Sequence, residues 1–182
     1  MKRRDVCGVL VLLVYLMGVG LVTGPSFYQL LAGRLPEPKL ELIPFVDIVG
    51  VVVDSVVHHH GAGIILNIFG NIVLFMPLGF LLPLFWSYFG SAKRTILFGL
   101  CMSFSIELIQ LIAGGVTSVD DLILNTAGAA LGYALAKLLL RVRSRLAPRR
   151  DNRTAWGFPL ACWLTVILLA TVTDVMALGL IW

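Results

Sequence analysis

Three carboxyl groups and four primary amides interrupt stretches of this 182-residue chain that are otherwise apolar. Asn67 and Asn71 are four residues apart, Glu107 and Gln110 three, and Asp121 and Asn125 four, with Asp120 just before the last pair. Those intervals put each pair on one face of a helix. A carboxyl group can pass a proton as a general acid or base, and an amide can donate and accept hydrogen bonds at once. The sequence has no HExxH, no GxSxG and no phosphate-binding glycine loop, so neither a metalloprotease, a serine hydrolase nor a nucleotide-binding mechanism is encoded in a recognisable motif.

The elements that carry these residues are long apolar runs. Apolar residues make up 59% of the chain and charged ones 13%, where a soluble domain has about a quarter charged. So small a domain must still show much of its surface to water, which excludes a soluble enzyme, a disordered chain and a nucleic-acid-binding domain. A membrane span needs roughly 20 apolar residues. Five runs qualify, at about 6–22, 64–86, 95–113, 122–140 and 158–180. The predicted fold is all-α: a polytopic membrane helix bundle of about five transmembrane helices, forming a single membrane domain over residues 1–182. The first run shares features with a signal peptide, but no small-x-small cleavage site follows it, so it is read as a retained span. Cys7, Cys101 and Cys162 lie in or beside apolar runs with no CxxC and are read as free thiols.

Charge sets the orientation. Lys2, Arg3 and Arg4, then Lys93 and Arg94, then Lys137, Arg141, Arg143, Arg145, Arg149, Arg150 and Arg153 all fall on one side of a five-span chain. Only Arg34 and Lys39 fall on the other. The positive-inside rule makes the amino terminus cytoplasmic, and it accounts for the arginine run without a nucleic-acid partner. The one long connection, Gly24 to Gly63, then lies outside, and its apolar second half is broken by Asp47, Gly50 and Asp54. An interfacial or re-entrant segment over the helix ends fits it. His58, His59 and His60 with Asp54 are adjacent loop residues that do not set up a fixed ligand geometry, so no metal and no cofactor are expected.

With that orientation, Asn67, Asn71, Glu107, Gln110, Asp120, Asp121 and Asn125 all belong to the outer half of the bilayer, as does Asp174, while the inner halves are almost purely apolar. The expectation is a polar pocket open to the outer face. The plainer reading of the amides is interhelical hydrogen bonding, worth about 0.6 kcal/mol each. Asp120 and Asp121 follow Thr117-Ser118 and also read as the acidic first turn of a capped helix. Glu107 has no lysine or arginine at its depth within the spans, so it is expected to be uncharged or hydrogen-bonded to an amide such as Asn71 or Asn125. Gly128 and Gly132 form a GxxxG that permits close helix packing. Pro77 and Pro83, with Gly79 between them, are expected to kink the second span.

Four blocks now carry a resemblance: ELIPF, LNIFGNIVLFMPLGFLLPL, SIELIQL and DDLILNTAGAALGY. In this order, over about Leu40 to Leu140, the chain resembles the VanZ-like family of bacterial membrane proteins, leaving the first span and a C-terminal extra span outside. The resemblance implies a multi-pass protein of the bacterial cytoplasmic membrane, in a family whose founding member is linked to teicoplanin resistance. Carried over position by position, it marks Asn71, Glu107, Gln110, Asp121 and Asn125. Family members commonly have an arginine and a further acidic residue just before the aspartates, where this chain reads Gly114-Gly115-Val116-Thr117-Ser118.

Three functions compete on these grounds. The first is binding or shielding, at the outer pocket, of a membrane lipid, a cell-wall precursor or a lipoglycopeptide. The second is an intramembrane enzyme acting on a lipid-linked envelope substrate, with Glu107 and Asp121 as acid and base. The third, a proton or solute pathway, ranks last because it needs polar groups through the whole membrane.

Overall fold

The computed structural model describes residues 3–23, 39–45, 49–50, 62–112, 116–143 and 156–179, without the side chains of 3–4, 62–67, 112 and 170–179. Five helices occupy the five apolar runs: α1 (Arg3–Thr23), α2 (Ala62–Phe85), α3 (Ala92–Ile112), α4 (Val119–Val142) and α5 (Gly157–Gly179). The helices α1 to α4 are each long and apolar enough to cross a membrane. The last, α5, has the length of a span and is apolar over Gly157–Leu169. The chain is an all-α membrane bundle.

The centre of the bundle is the contact between α2 and α4, the most extensive among the described residues. It is built on backbone rather than side chains. A Cβ on Gly128 would lie 2.3 Å from the Ile72 carbonyl oxygen, one on Gly132 would lie 2.0 Å from that of Met76, and one on Gly79 would lie 1.9 Å from that of Ala129. No side chain fits at those separations, so three glycines set how close the two helices come. Gly79, which the sequence placed in a proline kink, serves here as a contact glycine. Both Pro77 and Pro83 lie within the one helix.

On either side of this pair the core is apolar. From α1, Leu12 and Leu16 meet Phe75, Leu78 and Leu82 of α2, Met102 and Ile106 of α3, and Trp163 and Val166 of α5, all of them buried. The Tyr15 hydroxyl donates to the Leu74 carbonyl at 2.6 Å and ties α1 to α2. The last helix packs mainly on α1.

One end of the bundle is basic. There α2 passes into a 3₁₀ turn (Ser87–Gly90) and on to α3, and the free carbonyls of that turn are collected by side chains. Thr95 Oγ1 donates to Phe89 O at 2.8 Å, and Tyr133 OH and Lys137 Nζ both donate to Gly90 O, at 2.8 and 3.1 Å. The turn is thereby fastened to α4.

The opposite end holds an element that the sequence did not reveal. Lys39–Glu41 (β1) pairs in parallel with Val116–Ser118 (β2), with Lys39 opposite Val116 and Glu41 opposite Ser118. After β1, Leu42, Ile43, Phe45 and Val49 expose their apolar side chains, as an interfacial segment would. Phe45 adopts a left-handed backbone, φ 68°, which is unusual for a bulky residue.

Candidate functional site

The β2 strand and the first turn of α4 collect the polar side chains of the end away from the basic turn. Ser118 caps α4, its Oγ accepting from Asp120 N at 3.2 Å. Its own N–H donates to Glu107 Oε2 at 2.9 Å, and the Thr117 hydroxyl donates to Glu107 O at 3.0 Å. The Glu107 side chain, 5% exposed, therefore clamps the end of α3 to the start of α4. This corrects the expected pairing of Glu107 with Asn71 or Asn125. A backbone N–H at a helix start suits a carboxyl group better than an amide does, because the helix dipole adds to the hydrogen bond.

The two asparagines go elsewhere. Asn71 Nδ2 donates to Asp121 Oδ1 at 2.5 Å, across the α2–α4 contact. Asn125 Nδ2 donates to the Ser103 hydroxyl at 2.9 Å, joining α4 to α3. Ser103 was not singled out in the sequence, although it stands four residues before Glu107 and so shares its face.

Asp120 is 1% exposed and its Oδ1 accepts from the Phe45 N–H at 2.6 Å. That bond pins the left-handed turn after β1 onto α4. Gln110 Nε2 donates to Thr23 O at 2.9 Å, where α1 ends beside α3. Asn67 lies in α2 one turn before Asn71, with its side chain outside the described residues. So do Asp54, the three histidines and the Asp174 side chain.

Two acceptors in this cluster stand out. The carbonyl oxygens Asn125 Oδ1 and Gln110 Oε1 are buried and have no hydrogen-bond partner among the described residues. Nearby, β1 carries an ion pair. Lys39 Nζ lies 2.6 Å from Glu41 Oε1, and both residues sit beside β2 through the strand pairing.

Comparison with known families gives a match to the VanZ/LLP1 family model over residues 8–140. The chain belongs to the VanZ/LLP1 family. None of the curated proteins and none of the solved structures matches it. The VanZ/LLP1 match takes in α1, β1 and α2 to α4, and so contains every residue of the polar cluster. It begins earlier than the motif blocks from Leu40 indicate, and takes in Thr23, whose carbonyl accepts from Gln110. Only α5 lies wholly beyond the VanZ/LLP1 match.

Proposed function

We propose that this VanZ/LLP1 protein binds a donor-rich envelope molecule at the polar end of its bundle, in the outer leaflet of a bacterial cytoplasmic membrane. A cell-wall precursor, an envelope lipid or a teicoplanin-type lipoglycopeptide has the required chemistry, an apolar tail beside amide and hydroxyl donors. The observation that carries the reading is the pair of unfilled acceptors, Asn125 Oδ1 and Gln110 Oε1. A buried carbonyl without a donor costs about 1–3 kcal/mol, and a ligand N–H or O–H would remove that cost. Binding is favoured over catalysis because Glu107 and Asp121 each already accept a hydrogen bond from the protein, from Ser118 N–H and Asn71.

The test is a comparison of teicoplanin and vancomycin sensitivity in a susceptible Gram-positive host. The strains carry wild type, Glu107→Gln or Asn125→Ala at matched membrane levels. Protection against teicoplanin alone, lost in Asn125→Ala, is the expected result. No protection from wild type would remove the lipoglycopeptide. An altered envelope-lipid profile on overexpression would instead support the enzyme reading, with Glu107 and Asp121 as acid and base.

A further inference from the structure

A second feature lies at the basic end, away from the polar cluster. Between α3 and α5 runs an apolar groove of about 430 Å³. It extends from Arg94 and Trp156 at its mouth, past Cys101 and Leu164, to Ser105. Near its deep end the Trp163 indole donates to Ser105 Oγ at 2.9 Å and draws the two helices together. Leu97 and Leu164 on its rim are 52% and 55% exposed, so the groove opens sideways, where lipid would lie.

Its length and charge define an occupant. From Arg94 to Ser105 the helix rises about 16 Å, close to half of the roughly 30 Å hydrocarbon core. The groove is thus one leaflet deep and ends mid-membrane, as an acyl chain does. The cation at its mouth is held in place: Arg94 donates to Tyr88 O at 3.2 Å and lies 4.6 Å from the Tyr88 ring centroid. Lys93 stands beside it, exposed, and Trp156 marks the interface on the other wall, as aromatic residues do at headgroup level. We propose that the α3–α5 groove is a site for one anionic phospholipid of the cytoplasmic leaflet, its phosphate at Arg94 and an acyl chain along Phe98, Cys101 and Leu164. This site is independent of the outer polar cluster.

The experiment is native mass spectrometry of the full chain released from vesicles of equal phosphatidylglycerol and phosphatidylcholine. Wild type should retain one phosphatidylglycerol in preference to phosphatidylcholine by about fivefold or more for each interfacial cation engaged. Arg94→Gln should lower that preference by about fivefold while Arg94→Lys keeps most of it. Cys101→Trp, which fills the groove and leaves Arg94 in place, should abolish retention with the thermal midpoint unchanged. Equal retention of the two lipids by wild type, or an unaltered preference in Arg94→Gln, overturns the proposal. So does retention that survives Cys101→Trp, or a lipid-free dimer, which would mean that a second copy covers the groove.

Discussion

Asn71 and Asp121 are 50 residues apart in the chain and meet side chain to side chain where α2 crosses α4. The same crossing is the one at which Gly128 meets the Ile72 carbonyl. A polar pair and a backbone contact thus lie within about two helical turns of each other on one interface. The pair is held by helices whose backbones are in direct contact.

The Asn71–Asp121 bond predicts coupling. Asn71→Ala and Asp121→Ala should each destabilise the protein, and the double variant should cost less than their sum. The difference should be about 0.6–1.7 kcal/mol, the range for hydrogen bonds between membrane helices. Unfolding of all four proteins in mixed micelles measures it. Strict additivity would show that the two side chains do not depend on each other.

Glu107 predicts a split between two substitutions. Glu107→Gln keeps an oxygen for the Ser118 N–H and should fold to within about 1 kcal/mol of wild type. Glu107→Ala leaves that buried N–H without an acceptor and should cost about 1–3 kcal/mol. Thermal melts in detergent distinguish them. Equal losses would mean that the negative charge, not the hydrogen bond, holds α3 to α4.

The glycine contacts predict position-specific intolerance. Gly132→Val must push apart two backbones that a Cβ would bring within 2.0 Å, and should cost at least about 3 kcal/mol or prevent accumulation in the membrane. Gly70→Ala is the control, since a Cβ there meets nothing within 4 Å. It should stay within about 1 kcal/mol of wild type. Membrane levels and melting midpoints read both.

Asp120 predicts a local effect. Removing its carboxyl group in Asp120→Ala releases the Phe45 N–H, a bond to an ionisable group worth about 1.5–3 kcal/mol. Hydrogen exchange over residues 39–50 should quicken by tenfold or more, with exchange in α2 and α3 unchanged. Slow exchange there in the variant would show that the strand pair alone holds the loop.

The helices were legible because the bilayer dictates their length and their apolar character. The runs expected at about 6–22, 64–86, 95–113 and 122–140 differ from α1 to α4 by no more than a few residues at each end. The GxxxG of Gly128 and Gly132 was legible too, as a rule about backbone approach. What spacing does not contain is the rotation of one helix against another. Spacing assigns Glu107 and Asn71 to helix faces, yet their partners, Ser118 and Asp121, depend on how α3 and α2 turn toward α4. The β1–β2 pair escaped for another reason. Three residues such as Lys39–Glu41 are too few to display a period of two, and their partners are 77 positions away in register. The contact made by Gly79 escaped because the Ala129 carbonyl that it accommodates is remote in sequence.

The glycine contacts between α2 and α4 have a mechanical consequence. Helices joined through long side chains can slide by exchanging rotamers, whereas a carbonyl seated against a Cα has no alternative position of similar energy. The two helices therefore act as one strut with a fixed register. Asn71 and Asp121 ride on that strut, and Ser103, Glu107 and Gln110 ride on α3 beside it. The α3 residues are tied to the strut through Ser118 N–H to Glu107 and Asn125 to Ser103.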